Sequence, residues 1–127
     1  MATNDLKLLG SWFSPFVARV QIALTIKGVN YENIEETLFP KSDLLLQYNP
    51  VHKKIPVLIH GDKILCESAI IVEYIDEVWK NNGTPSILPS NSYDRAIAKC
   101  WVAYIDDKVL IYLYSFSFFL GENFTLQ

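Results

Sequence analysis

Apolar and polar positions follow three different rhythms along this chain. Leu6 to Gly10 is a short apolar run that reads as a buried strand. Ser11 to Pro15 interrupts it, and Pro15, lacking an N–H, suits the first turn of a helix. From Phe16 onward, Val17, Val20, Ile22, Ala23, Leu24 and Ile26 recur at helical spacing, and Gly28 can close the helix, so a helix is predicted over Pro15 to Lys27. Tyr31 to Glu36 reads as a second strand. Lys41 to Gln47 reads as a short helix, ended by Asn49-Pro50. Pro56 leads into a third strand, Val57 to His60, and the Gly61-Asp62 turn returns the chain as an antiparallel fourth, Lys63 to Cys66. Ser68 reads as the cap of a third helix, with Ile70, Ile71, Tyr74, Ile75 and Val78 on its apolar stripe.

This order, β-α-β, a connecting helix, then β-β-α, predicts an α/β fold: a thioredoxin-like domain with a mixed four-stranded sheet. Gly83, Pro85 and Pro89 punctuate a linker over 81–91. Ser92 to Lys108 then reads as a helix, with Ile97, Trp101, Tyr104 and Ile105 on one side. The division expected is a thioredoxin-like domain over 1–83 and the start of an all-α domain over 84–127.

Composition narrows the partners. The chain has 127 residues, half of them hydrophobic and 20% charged, which excludes a disordered polar chain. The net charge is −3 and no basic face is apparent, so nucleic acid is not an expected partner. Two cysteines, Cys66 and Cys100, form no CxxC pair. That argues against a disulfide scaffold or a zinc site and for a reducing compartment, the cytosol. Met1 to Asp5 carries no basic segment leading into an apolar run, so no secretory leader is expected. The uncharged run Val109 to Leu120 is too short to span a ~30 Å hydrocarbon core.

Four local features carry candidate chemistry. Ser14-Pro15 places a hydroxyl at a helix N-terminus, where unpaired N–H groups and the helix dipole favour an anion; a hydroxyl there can donate to a thiolate. Ile55-Pro56 enters a strand at a position that thioredoxin-type folds commonly hold cis, offering the Ile55 backbone to an extended peptide. Glu67-Ser68 stands at the turn into the third helix, a pair suited to the ammonium and carboxylate of an amino-acid head. Lys41 and Lys54 lie on connections bracketing the same sheet end, within reach of a second carboxylate. Each also has an ordinary explanation: an N-cap, a trans strand-starting proline, a first-turn acid, two solvated lysines.

Three stretches set the chain in a family. SPFVARVQIALTIKGVNYE (Ser14 to Glu32), NPVHKKIPVLIH (Asn49 to His60) and CESAIIVEYIDEVW (Cys66 to Trp79) stand in the order and spacing of plant tau-class glutathione transferases. The chain resembles the N-terminal half of such an enzyme from Leu6 to Lys108. The resemblance implies that Ser14 hydrogen-bonds the glutathione sulfur and that Ile55 pairs through its backbone with the cysteinyl part. It implies that Glu67 and Ser68 hold the γ-glutamyl head, and that Lys41 and Lys54 reach the glycine carboxylate. Glutathione is then a co-substrate, with no metal or other cofactor. The implied reaction joins its thiolate to hydrophobic electrophiles, in detoxification and stress response. Serine at position 14, where related classes carry cysteine, excludes mixed-disulfide chemistry.

The family is roughly twice as long, is homodimeric, and takes most of its electrophile pocket from a helical second domain. After Lys108 the run from Val109 loses all charge and departs from the family pattern. A retained intron and a genuine apolar tail both fit that run. The alternative reading of the chain is therefore a glutathione-binding module with impaired catalysis, or a product lacking the electrophile site.

Overall fold

A computed structural model describes residues 5–37, 40–52, 54–113, 115, 116 and 119. The chain divides into two compact units, residues 1–87 and 88–127.

In the first unit the elements are β1 (Leu6–Gly10), α1 (Pro15–Ile26), β2 (Glu32–Glu35), α2 (Asp43–Tyr48), β3 (Val57–His60), β4 (Lys63–Cys66) and α3 (Ser68–Val78). The sheet order is β2-β1-β3-β4. β1 and β2 run parallel, as a strand–helix–strand crossover requires, whereas β3 is antiparallel to both β1 and β4. Gly61 closes the β3–β4 turn at φ +63, in the left-handed region. The fold is the mixed, thioredoxin-like sheet that the element order predicts.

Side-chain alternation along the strands makes two cores. Leu6, Leu8 and Leu58 face one side and pack with Val17, Val20, Ala23 and Leu24 of α1 and Ile71 and Ile75 of α3. Leu9, Val57 and Ile59 face the other and pack on Leu45 of α2. β1 and α1 approach so closely that a Cβ on Gly10 would lie 2.4 Å from Val17 Cγ1. α1 ends one residue earlier than predicted, with Lys27 as C-cap. Gly28, at φ +63, donates to Thr25 and Val29 donates to Leu24, a paired closure that satisfies two end carbonyls.

Two polar clasps join α1 to α3. At one end Arg19 Nη1 donates to Ser68 Oγ at 3.0 Å. At the other, the fully buried Lys27 Nζ sits 2.8 Å from Asp76 Oδ1. Lys27 and Asp76 each lie eight residues beyond the members of the first clasp, so the two helices run parallel and in step. Lys27 Nζ also donates to the Pro85 carbonyl at 2.9 Å, and Asp76 accepts from Ile87 N at 2.9 Å and Ser86 Oγ at 3.2 Å. These bonds satisfy the buried charges and tie residues 85–87 to the helices.

In the second unit α4 (Ser92–Ile105) is capped by Asn91, whose side chain accepts from Tyr93 N and Asp94 N. The helix does not stop at Lys108. It passes through a π-helical turn, Asp106–Leu110, and continues over 111–113. Parts of the run from Val109 to Leu120, and everything after it, lie outside the described residues. No residue of α4 or of the π-helical turn is buried.

Candidate functional site

The strand register brings four connections to one end of the sheet. Gly10 at the end of β1 pairs with Glu35 at the end of β2. Leu9 pairs with Val57, the first residue of β3, and Val57 pairs with Cys66, the last of β4. The segments that begin or finish there are 11–14, 36–42, 49–56 and 67–68. They contain Ser14, Lys41, Lys54, Ile55, Glu67 and Ser68. These connections share one end of the sheet because β1, β2 and β4 finish there and β3, running the other way, begins there. The N-termini of α1 and α3 open onto this same end, each carrying the positive pole of a helix.

Ser14 is the N-cap of α1, 5% exposed, and its Oγ accepts from Val17 N at 3.3 Å. Used as an acceptor within the protein, the hydroxyl keeps its proton to donate. Ser68 is equally buried and in a similar state: its Oγ accepts from Arg19, which leaves the O–H proton for an anion. The sequence reading of Ser68 as a cap is corrected here. Ser68 is the first helical residue, and Glu67 occupies the cap position without a side-chain cap bond. Glu67 stands at φ +73, a left-handed conformation that a non-glycine residue adopts only under local constraint, and its side chain is exposed.

The Ile55-Pro56 bond is cis, and Ile55 is half-buried between the two cores. The preceding residue, Lys54, is exposed, with its carbonyl held by Asn49 Nδ2 at 2.9 Å. Lys41 is exposed and stands just before Ser42, the N-cap of α2. Lys54 thus leads into β3, the strand beside β4 and Glu67, while Lys41 stands on the connection that leaves the opposite edge strand, β2.

Arg19 is a residue the sequence reading missed. It lies on α1 amid Phe16, Val17, Val20 and Ala23, and its guanidinium also stands 6.0 Å from the centre of the Phe16 ring. A single cation on an otherwise apolar helix face was the available signal. Next to the site, burial pushes the Cys66 thiol above its ordinary range, and the neighbouring Glu67 carboxylate adds to that. Among the described residues, no group of three or more His, Cys, Asp or Glu side chains is placed to hold a metal ion.

The profile described as "Glutathione S-transferase, N-terminal domain" matches residues 4–77. Glutathione S-transferase U18 of Arabidopsis thaliana is 62% identical over 111 residues, covering 87% of this chain and 48% of that protein. Glutathione S-transferase U17 of the same plant is 60% identical over 123 residues, covering 97% of this chain and 54% of that protein. The U17 match therefore takes in most of the uncharged run from Val109. Among solved structures, the tau-class glutathione S-transferase of mango, Mangifera indica, is similar with a TM-score of 0.77 and 65% identity, over 82% of this chain and 46% of that one. Rice GST1, solved in complex with glutathione, gives 0.77 and 45% identity, over 84% and 49%. The chain spans about half the length of the curated relatives it matches. With more than half of its residues matched by the family profile, the chain belongs to the glutathione S-transferase family, in its tau class.

Proposed function

We propose that this chain carries the glutathione-binding and thiol-activating site of a glutathione transferase. The observation that supports it is the state of two buried serines. Ser14 and Ser68 each accept a bond from their own protein and keep a proton to give, each at the first turn of a helix. Ser68 then donates to the γ-glutamyl carboxylate while Glu67 faces the ammonium. The Ile55 backbone pairs with the cysteinyl part, and Lys41 and Lys54 meet the glycine carboxylate. Ser14 donates to the sulfur.

A thiol with a pKa of about 8.5 is a few per cent thiolate at neutral pH, and only the thiolate attacks. The Ser14 proton and the α1 N-terminus favour that anion. The sulfur then bonds to an electrophilic carbon of an apolar substrate, and the thiol proton leaves to water. Trp12, 84% exposed, and Phe13 flank Ser14 and offer apolar surface to such a substrate. The reading extends to a cytosolic, detoxifying enzyme that works as a homodimer without metal.

Two variants test it. Ser14→Ala raises the pKa of bound glutathione and lowers turnover more than binding, because the lost bond is to the developing thiolate. Ser68→Ala weakens glutathione binding by roughly 1.5–3 kcal/mol, the worth of a hydrogen bond to a charged group. Full turnover in the first variant, or unchanged affinity in the second, refutes the placement. A conjugation assay run beside a glutathione titration separates an enzyme from a binding module.

A further inference from the structure

β2 ends at Glu35, Glu36 follows it directly, and the two carboxylates serve different loops. Glu36 N still donates to the Gly10 carbonyl at 2.7 Å, so the extended course of β2 carries one residue further and the two side chains diverge. Glu36 is buried, and both of its oxygens accept from Ser42 Oγ, at 2.7 and 2.6 Å, at the start of α2. Glu35 reaches the other way. Its Oε1 accepts from Ser11 Oγ at 3.0 Å and from Trp12 N at 2.9 Å. Ser11 is 3% exposed, and its carbonyl in turn accepts from Ser14 N at 3.1 Å.

We propose that Glu35 is a positioning residue for Ser14: its carboxylate oxygen holds the loop from Ser11 to Ser14 in the shape that aims the Ser14 hydroxyl. This inference rests on the proposed role of Ser14 toward the glutathione sulfur. The loop needs such an anchor. Between the last β1 residue and the first turn of α1 the chain has no strand or helix partner of its own. The bond from Ser14 N to Ser11 closes a single turn, and Glu35 is what fastens that turn to the sheet. Both bonds go to the same oxygen of the carboxylate, so the anchor works through an acceptor atom at a fixed place. The anchor needs that acceptor atom and not the negative charge.

The test uses the full 127-residue chain. Glutathione is titrated calorimetrically, and the pKa of the bound thiol is read from thiolate ultraviolet absorbance as pH rises. Glu35→Ala raises the bound-thiol pKa by on the order of one unit, toward the value in Ser14→Ala, with glutathione affinity changed by less than about threefold. Glu35→Gln keeps an oxygen in the same place and restores the original pKa. A role in overall stability alone would lower the melting temperature and leave the bound-thiol pKa where it was.

If Ser14→Ala shifts the thiol and Glu35→Ala does not, the positioning inference is overturned while the reading of Ser14 stands. If Ser14→Ala shifts nothing, both fall. If Glu35→Gln and Glu35→Ala move the thiol equally, charge rather than anchoring acts, and the inference is overturned. Should Glu35→Ala fail to fold by circular dichroism, Ser11→Ala decides the matter. It removes one of the two bonds and leaves Glu35 in place, so a partial upward shift supports the anchor and no shift overturns it.

Discussion

Residues 1–87 and 88–127 are both rich in aliphatic and aromatic side chains, yet among the described residues only the first unit buries them. Leu8, Leu9, Leu24, Leu45, Leu58, Ile71 and Ile75 are fully enclosed. In α4, Trp101 is 58% exposed, and Ile97, Tyr104 and Ile105 are exposed as well. Both regions make helices with side-chain caps, α1 and α2 in the first and α4 in the second. A helix stripe becomes core only when a second surface faces it, and the sheet supplies that surface twice in the first unit. Local pattern therefore makes a helix in either region, while stability and a pre-shaped site arise where layers stack.

The comparison can be broken most decisively at the Lys27–Asp76 pair. Lys27→Met leaves Asp76 buried without its cation, and the cost is about 3–5 kcal/mol. Chemical denaturation followed by far-ultraviolet circular dichroism reads it. Replacing both residues by apolar ones of similar volume recovers much of the loss, since the pair's attraction is offset by its desolvation. A single variant as stable as the parent would show that the first unit is not held as described.

Gly10→Ala comes next. The added methyl meets Val17 Cγ1 at 2.4 Å, so β1 and α1 must separate, at about 1–3 kcal/mol. Because Ser14 starts α1, the same change should weaken the candidate site, which a glutathione titration checks.

The two cysteines sharpen the contrast chemically, one in each unit. Cys100 is exposed, whereas Cys66 is half-buried with its thiol pushed above the ordinary range. Iodoacetamide at neutral pH should label Cys100 roughly tenfold faster, as mass spectrometry of the peptides would show. The sign of the linkage follows. A thiol whose folded pKa is raised adds stability below the unfolded thiol's pKa. That contribution is lost as pH climbs through the folded value, so Cys66 lowers stability only in alkali.

The smallest effect belongs to α4. Trp101→Gln should change the unfolding midpoint of the first unit by less than about 0.5 kcal/mol, as exposed substitutions do. A large shift would show that this face carries stability after all.

Much of the fold was legible without coordinates. β1, β3 and β4 lie where the apolar runs and the Gly61-Asp62 turn put them, and Gly28 closes α1. These features depend on residues within one or two turns of each other. The uncharged run after Lys108 was harder, because a stretch with no polar face has no period to read. The helix continues into it through a π-helical turn.

The sequence by itself determined the order of elements, the cis-prone proline at the head of β3 and the residue types offered at each connection. Only the tertiary structure decided which of them meet. Arg19 finds Ser68 and Lys27 finds Asp76 because α1 and α3 pack in parallel on one face of the sheet. Glu35 finds Ser11 because β1 and β2 run side by side. A side chain's local neighbours are set by backbone period. Its distant partners are set by which layers the burial of apolar surface brings together, and no short window of sequence contains that information.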